Sequence, residues 1–390
     1  MVLGLLLARA GVDVTVLEKH GDFLRDFRGD TVHPTTMQLL DELGLGGRFA
    51  QLPYSEVRNA SFEQDGRSVT VVDFGRLRQP HPFIALVPQW DLLTLLAEAG
   101  RAEPTYTLWM NTEVTGLLRD EHGAVTGVRY VGPDGPGQLR ADLTVACDGR
   151  WSLARREAGL AAKEFPVAFD VWWFRLPRED SSTYSVLPRT APGKAIMVLP
   201  RKGYLQIAYV GRKGGDAALR ERGLEALRAD VAELLPQAAT SVAGLASLDD
   251  VKHLDVRVNR LHRWHTDGLL CIGDAAHAMS PVGGVGVNLA IQDAVAAATL
   301  LAEPLLQRRV SGRDLDRVRR RRVVATAVTQ AVQRGMHRFV VGPILAGRSA
   351  GPSKTLLAVM ERLPWLAVVP AYFVGVGVRP EHAPAFARRD

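Results

Sequence analysis

Residues 271–293 constrain the fold of this 390-residue chain more than any other segment. An apolar run over 268–272 leads into Gly273 and Asp274, a glycine-rich loop follows, and the Ala/Leu/Val pattern of a buried helix covers 288–301. A helix start offers unpaired N–H groups and partial positive charge, and glycines let a flat or anionic ligand approach the backbone. The pattern therefore predicts a ligand-binding strand, loop and helix, in which Asp274 accepts hydrogen bonds from ligand hydroxyls.

The same residues resemble a known family motif. Gly273-Asp-Ala-Ala-His277, with its downstream proline, glycines and asparagine, is similar to the second nucleotide-binding motif of single-component flavoprotein aromatic hydroxylases, the para-hydroxybenzoate hydroxylase superfamily. The resemblance implies that Asp274 binds the ribityl chain of FAD and that His277 is architectural. It also implies that the flavin ring faces the backbone of Pro281, Gly284, Val285, Gly286, Val287 and Asn288. A glycine-rich turn that only packs a helix on a sheet is the alternative.

Two further segments match this family independently. Residues 143–155 have the pattern of an apolar strand ending at Asp148, followed by Ser152 and Arg155 at the spacing of a motif that serves both FAD and NAD(P)H in the family. Residues 12–18 alternate as a strand and end at Glu18, where a dinucleotide fold places the carboxylate that holds the adenosine ribose. Asp148 and Glu18 are therefore predicted cofactor-binding residues.

Two more cofactor contacts follow from the resemblance. Arg28 precedes a predicted helix over 35–43, and a family arginine at this point lies along the FAD; an ordinary charge in a loop is the alternative. Gln89 opens another predicted helix and matches a family glutamine near the ribityl chain and ring, with a helix-capping role as the alternative. The sequence identifies no catalytic base and no metal site.

The start of the chain departs from the family pattern. A Gly-x-Gly-x-x-Gly fingerprint should follow a first strand about 20 residues before the ribose-binding acid, whereas Met1 falls inside the helix that this fingerprint opens. We expect a start codon assigned too far downstream or a truncation. A real truncation would remove the main cradle of the FAD pyrophosphate and the central strand of the sheet. A secretory signal is disfavoured, because the positive n-region is absent and the apolar core is short.

The element pattern predicts an α/β protein in which a Rossmann-like FAD-binding fold of the glutathione-reductase type is interleaved with a mixed β-sheet substrate domain. The predicted FAD-binding domain covers 1–54, 86–160 and 254–310, the substrate domain 55–85 and 161–253, and a helical segment 311–390. Strand patterns at 169–177, 194–199 and 204–210 predict a sheet that covers a pocket over the flavin. The residues there that either contact substrate or pack in the core are Trp172, Phe174, Met197 and Tyr209.

Composition limits the partners. The net charge of +6 and pI near 9.5 favour anionic ligands such as the phosphates of NADPH. Nucleic acid is disfavoured, because the densest basic run, 317–322, lies in a predicted helix with no aromatic pattern and is interpreted as a solvated face. Cys147 and Cys271 both end predicted core strands, which predicts two buried thiols without a disulfide in a cytoplasmic protein.

The apolar segment 363–378 is shorter than the ~20 residues of a bilayer span and contains two prolines. A core lid or a homodimer contact is therefore favoured over contact with a membrane surface.

The resemblance implies a specific chemistry. NAD(P)H would reduce bound FAD, O₂ would form a flavin C4a-hydroperoxide, and one oxygen atom would pass to an aromatic or similarly electron-rich small molecule. A flavin-dependent reductase or dehydrogenase of the same fold, and a truncated non-catalytic homologue, are the alternatives. The sequence leaves the substrate, the choice between NADH and NADPH, and the oligomeric state open.

Overall fold

Helices and strands alternate through most of the chain in the computed structural model, which describes residues 1–24, 31–64, 67–178, 187–201, 203–348 and 353–389. The strands in this part of the chain are β1 Val14–Leu17, β2 Thr31–Val32, β3 Ser55–Val57, β4 Asn59–Gln64, β5 Arg67–Asp73, β6 Ile84–Leu86, β7 Tyr106–Trp109, β8 Glu113–Arg119, β9 Val125–Gly132, β10 Gly135–Arg140, β11 Thr144–Ala146, β12 Ala162–Phe165, β13 Phe169–Pro177, β14 Leu187–Ala191, β15 Lys194–Arg201, β16 Tyr204–Arg212, β17 Lys252–Leu254, β18 Val258–Leu261, β19 His265–Thr266 and β20 Leu269–Cys271. The α-helices are α1 Val2–Arg9, α2 Pro34–Glu42, α3 Gly46–Phe49, α4 Gln89–Arg101, α5 Leu153–Glu157, α6 Asp216–Leu234, α7 Ala239–Val242, α8 Gly286–Leu306, α9 Gly312–Met336, α10 Gly342–Leu345, α11 Lys354–Arg362 and α12 Val368–Gly375.

Two parallel strand pairs form the centre of one half of the fold. β1 pairs with β7, and β11 pairs with β20. Helix α1 packs against the first pair so closely that a Cβ on Gly4 would lie 2.8 Å from Val16 and 2.9 Å from Tyr106. Only glycine permits this approach, which buries Leu5 and Leu6 completely. This part of the core therefore depends on the close packing of α1 on β1, both within the first 17 residues.

A five-stranded antiparallel sheet with the order β14-β15-β16-β13-β17 forms the second half. Side chains alternate between its faces. Trp172 and Phe174 point to the face that packs on α6 and α7, whereas Phe169 and Val171 point to the other face, which packs on α10 and on Val282. The second face therefore lies against the glycine-rich loop that precedes α8.

Helix α8 is the central helix of the protein. Its residues Val295, Ala296, Ala297 and Ala298 have no exposed surface. Among the described helices it alone has the length and apolarity of a membrane span, and most of that window is buried inside the protein. Helix α11 and residues 364–375 reach that length only together, across a bend of 108°. Burial by α1 and α9 accounts for the apolarity of α8.

The α/β class with mixed sheets is confirmed, and the strand expected over 169–177 has these bounds. The sequence did not predict one sheet. The stretch 86–160 also contains the antiparallel sheet β10-β9-β8. The prediction for Cys147 is wrong: β11 ends at Ala146, so Cys147 belongs to the following turn and is exposed. Cys271, the register partner of Ala146, is buried as predicted, and burial raises its pKa to about 12. Neither cysteine is in a disulfide.

Candidate functional site

The two acidic turns predicted from the sequence meet at one edge of the sheet. Because β11 and β20 are parallel and in register, the chain leaves both at the same edge, where Asp148 and Asp274 follow. Arg150 joins the turns, since its Nη2 lies 3.4 Å from Oδ2 of Asp274 and its Nη1 donates to the carbonyl of Asp255. The Asp274 side chain is 31% exposed, which leaves its carboxylate accessible to a ligand.

Helix α5 begins at this edge because its first turn is capped twice. The Ser152 hydroxyl accepts from the N–H of Arg155, and Oδ2 of Asp148 accepts from the N–H of Ala154 at 3.2 Å. The Arg155 guanidinium then donates to the carbonyl of Ala275 at 3.4 Å. Asp148 therefore orders the turn itself, and Arg155 holds the second turn against it.

Cys147 follows β11 at this edge and is exposed. The surrounding protein raises the pKa of its thiol to about 11. Burial lowers the pKa of the Met1 amine in the same region, and the nearby Cys147 and Glu18 oppose that effect. Glu18 follows β1, and its Oε1 accepts from the N–H of His20 at 3.1 Å. The predicted ribose-binding acid therefore lies near Met1, as Cys147 does.

The glycine-rich loop has a backbone that requires glycine. Gly283 and Gly284 have φ angles of 81° and 65°. A Cβ on Gly284 would also lie 2.8 Å from Oγ1 of Thr31. Helix α8 then begins at Gly286, and the first N–H groups of a helix have no partner inside it. The predicted ring-facing residues, from Pro281 to Asn288, thus form one continuous loop and helix start.

Four side chains from β2 and the start of α2 hold this loop, and sequence reasoning missed all of them. The Thr31 hydroxyl and the His33 ring both contact the carbonyl of Gly284 at 3.0 Å. The hydroxyls of Thr35 and Thr36 donate to Oδ1 of Asn288 at 3.0 and 2.8 Å. The remaining nitrogen of His33, Nδ1, lies 2.8 Å from the carbonyl of Val374 in α12. The loop is therefore fixed at both of its ends.

A buried charge cluster lies beneath the Gly273-Asp274 turn. Asp293 is fully buried, and its Oδ2 contacts Nε2 of His277 at 2.5 Å and accepts from the N–H of Gly273 at 3.1 Å. Its Oδ1 accepts from Nε of Arg322 at 3.0 Å, and Arg322 also faces Glu381 at 3.4 Å. Burial alone would raise the pKa of Asp293, but His277 and Arg322 hold it below the usual value. His277 is architectural here, as the resemblance implied.

The interpretation of 317–322 as a solvated face is wrong for its last residue. Arg322 is 1% exposed, because it points from α9 toward α8 and the C-terminal segment. Its neighbour Arg321 donates three hydrogen bonds of 2.6 to 3.1 Å to the carboxylate of Glu381. The basic run therefore contributes one side chain to the core and another to its edge.

Helix α9 also holds the backbone that leads into the loop. Gln330 donates to the carbonyl of Asn259, and Gln333 donates to the carbonyls of Ser280 and Val282 at 2.9 and 2.8 Å. His337, one turn further on, places Nε2 2.8 Å from Oγ of Ser280. Gln330, Gln333 and His337 are spaced i, i+3 and i+7, which places them on one face of a helix. This spacing is the sequence signal from which their shared role could have been predicted.

Three buried histidines make the protein sensitive to acid. Burial lowers the pKa of His33 and His265, and it lowers the pKa of His337 from 6.5 to about 4. The unfolded chain then binds protons at a higher pH than the folded protein. Stability is therefore fully present above pH 6.5 and is lost as the pH falls from there toward 4. His337 alone accounts for up to about 3 kcal/mol of that loss, at about 1.4 kcal/mol per pKa unit.

Urea denaturation across this pH range tests the expectation. The wild type should lose free energy of unfolding on acidification, and His337→Phe should lose about 2–3 kcal/mol less over the same range. His122→Gln is the matched control, because His122 is 82% exposed. Equal acid sensitivity of His337→Phe and the wild type would contradict the assignment.

The remaining predicted residues are distributed as follows. Arg28 lies outside the described residues. Gln89 begins α4, three residues after Leu86, which pairs with Thr31, and its contact with a cofactor stays a prediction. Trp172, Phe174 and Tyr209 pack in the core between the sheet and α6, while Met197 lies on the opposite face with Val282.

The chain is similar to flavoenzymes along most of its length. The family described as FAD binding domain matches residues 1–332. The 6-methylpretetramide 4-monooxygenase of Streptomyces rimosus is 34% identical over 359 residues, which cover 92% of this chain and 85% of that protein. The anhydrotetracycline monooxygenase of the same organism is 28% identical over 76% of this chain, which spans 59% of that longer protein.

Solved structures share the fold. The OxyS anhydrotetracycline hydroxylase from Streptomyces rimosus superposes with a TM-score of 0.75 at 23% identity, covering 98% of this chain and 75% of that one. PqsL of P. aeruginosa in complex with 2-aminobenzoylacetate superposes with a TM-score of 0.73 at 21% identity, covering 92% of this chain and 96% of that one. The matched family region includes both acidic turns, the glycine-rich loop and α8.

Proposed function

The chain belongs to the FAD-binding family of aromatic hydroxylases, and from that membership we propose that it hydroxylates a planar polycyclic aromatic molecule with NAD(P)H as the electron donor. Its relatives establish the class of FAD-dependent monooxygenase. The polycyclic substrate is our inference from the compounds in their names, 6-methylpretetramide and anhydrotetracycline, which both contain four fused rings. We also propose a cytoplasmic location, a small-molecule partner and no nucleic-acid partner.

The residues at these strand ends and at the start of α8 fit FAD. Asp274 is a partly exposed carboxylate at a strand end, suited to the hydroxyls of a ribityl chain. Glu18 is the equivalent acid after β1, suited to a ribose. The unpaired N–H groups at the start of α8 favour negative charge, which develops on a flavin ring when it is reduced. Asp274, Glu18 and the start of α8 would therefore contact the ribityl chain, the adenosine ribose and the flavin ring, respectively.

Bound FAD supplies the redox chemistry that activates O₂ and transfers one oxygen atom. The side chains of this protein orient and shield it. Thr31, Thr35 and Thr36 fix the loop against which the ring would rest. Val282 of the loop packs against the sheet face that carries Met197, and that face would limit access of water to the ring. Such shielding suits an oxygen transfer that water would otherwise divert.

The observation that supports this proposal most is the meeting of the two acidic turns at one sheet edge, beside the glycine-rich loop. Arg150 links Asp274 to the turn after β11, and the loop begins seven residues beyond Asp274. A glycine-rich turn that only packed a helix would not require a partly exposed carboxylate at this edge.

The experiment supplies the FAD-loaded protein with NADH or NADPH, ¹⁸O₂ and one of three probes: anhydrotetracycline, 1,8-dihydroxyanthraquinone or 4-nitrophenol. We expect a polycyclic probe to stimulate NAD(P)H oxidation and to gain one labelled oxygen atom, detected by mass spectrometry. Hydride consumption with a reduced product and no label would favour a reductase and overturn the proposal. A protein that binds no FAD would be the non-catalytic homologue.

A further inference from the structure

The last helices carry most of the exposed apolar surface of the protein. Among the described residues, fifteen large apolar side chains are exposed, and eleven of them lie between residues 324 and 372. Six of the eleven belong to α11, α12 and the turn between these two helices. We call them the C-terminal apolar face: Leu356, Val359, Leu363, Trp365, Val369 and Tyr372. A cluster of this kind marks a surface that binds another molecule.

These two helices have one packed side and one open side. On α11, Leu357 and Met360 pack in the same cluster as Val69 of β5, and Ala367 from the following turn joins them. Helix α12 also contacts β5. The residues of the C-terminal apolar face recur every three or four positions on each side of the bend, which is the spacing of one helix face. Both helices therefore cover the β4-β5 hairpin and expose their apolar outer sides.

The shape of this segment suits the surface of a membrane. Helix α11 and residues 364–375 meet at a bend of 108°, and each part alone is too short to cross a bilayer. The residues from 363 to 378 include no charged side chain, while Trp365 and Tyr372 each combine an apolar ring with one polar group. Side chains of that kind lie at the boundary between lipid headgroups and acyl chains. The two helices therefore suit a position in the plane of that boundary.

The charge around the C-terminal apolar face favours a lipid surface over a second copy of the protein. The segment 338–378 contains four exposed basic residues, Arg338, Arg348, Lys354 and Arg362, and one acidic residue, Glu361. Two copies that met through this face would bring basic residues together, and like charges in an interface oppose association. Anionic headgroups attract the same residues, with a gain in affinity of about fivefold for each one near the surface.

We propose that the protein binds peripherally to anionic membranes through the C-terminal apolar face. Leu363, Trp365 and Val369 enter the interfacial region of the bilayer, and the basic residues contact the headgroups. The sequence favoured a core lid or a homodimer contact for 363–378; the exposed outer side of these helices and the surrounding basic charge are the reasons for the different assignment. This inference goes beyond the proposed function and does not depend on it. It is compatible with the cytoplasmic location proposed above.

Co-sedimentation of the purified full chain with sucrose-loaded vesicles tests the proposal. One vesicle type is phosphatidylcholine alone, and the other is an equal mixture of phosphatidylcholine and phosphatidylglycerol. The wild type should bind the anionic vesicles more than about tenfold more tightly than the neutral ones. Raising NaCl from about 0.1 M to about 0.5 M should weaken this binding, because salt screens the basic residues.

Two double variants separate the apolar and the charged contributions. Trp365→Ser with Val369→Ser should weaken binding to the anionic vesicles by more than about tenfold, because it removes apolar groups that enter the bilayer. Lys354→Gln with Arg362→Gln should weaken it by about 25-fold, at about fivefold for each charge. The melting temperature of each variant shows that it is folded.

Leu306→Ser and Arg309→Gln are the matched controls. Leu306 is 53% exposed and ends α8, about 30 Å along the helix from its first turn, where Leu289 packs with Val374 of α12. Arg309 is 67% exposed and follows the same helix end. Both single variants should bind the anionic vesicles as tightly as the wild type.

Three results overturn the proposal. The first is a wild type that sediments with neither vesicle type or equally with both. The second is an unchanged affinity for anionic vesicles in the Trp365→Ser, Val369→Ser variant. The third comes from light scattering after gel filtration: a dimeric wild type that this variant converts to a monomer would show that a second copy covers the face. Because neither measurement uses FAD or substrate, a failure here leaves the proposed function unaffected.

Discussion

Asp293→Ala should destabilise the protein by about 3–5 kcal/mol, the usual effect of removing one partner from a buried ion pair. Asp293 has no exposed surface, and it accepts hydrogen bonds from Arg322 and from the backbone of Gly273 while contacting His277. Alanine would leave these groups buried without their acceptor, and only Glu381 would remain beside the guanidinium. Guanidinium denaturation at pH 7.5 measures the change in the free energy of unfolding.

Two variants make this measurement specific. Asp316→Ala removes an acid from the surface of α9, where Asp316 pairs with Arg319 at 2.7 Å and with Arg320. Exposed pairs of this kind contribute about 0–1 kcal/mol, so its effect should be small. Asp293→Asn keeps the shape and one acceptor oxygen and should fall between the two. Equal losses for Asp293→Ala and Asp316→Ala would show that the buried cluster does not stabilise the fold.

The sequence predicts those parts of the fold that depend on local patterns. Strand β13 follows from a run rich in aromatic and β-branched residues between Pro166 and Pro177, and β11 and β20 follow from apolar runs that end at Asp148 and Gly273. These signals are short in sequence and independent of distant contacts. The edge at which the two acidic turns meet could therefore be anticipated once both strands were assumed to be parallel.

The sequence does not predict the contacts that join distant segments. Asp293, Arg322 and Glu381 come from three separate helices or loops, and a run of arginines on a helix has the same composition whether it is solvated or buried. The threonines that hold the loop lie about 250 residues before it. In the sequence, Thr35 and Thr36 look like ordinary residues at the start of a helix. Only their hydrogen bonds to Asn288 in the folded protein show that they belong to the candidate site.

Alternation in β13 shows a similar limit. A period of two places Trp172 and Trp173 on opposite faces, but it does not state which face meets the helices. Trp172 was therefore considered as a substrate contact although it belongs to the core, while Trp173 was not considered. The packing of α6 determines which face is buried, because Asp216 of α6 accepts a hydrogen bond from the Trp172 indole N–H.

Asp274→Ala should weaken FAD binding about 10–100-fold, the loss expected when one charged acceptor is removed from a ligand's hydroxyl groups. The carboxylate of Asp274, which is 31% exposed, has one long contact with the described residues, the 3.4 Å pair with Arg150. Its removal should therefore change the melting temperature of the flavin-free protein little. The dissociation constant of FAD is measured by the fluorescence change when the deflavinated protein is titrated with FAD.

Asp255→Ala is the matched control, because Asp255 is a neighbouring acid of similar exposure that pairs with Lys213 and Arg257 and whose carbonyl also binds Arg150. This variant should keep its affinity for FAD. Asp274→Asn retains an acceptor oxygen and should lose less affinity than Asp274→Ala. If Asp274→Ala binds FAD as tightly as the wild type, the carboxylate only anchors Arg150. If Asp274→Ala loses affinity without losing stability, the turn after β20 binds the cofactor through its side chain, and the Asp293 cluster beneath it serves folding.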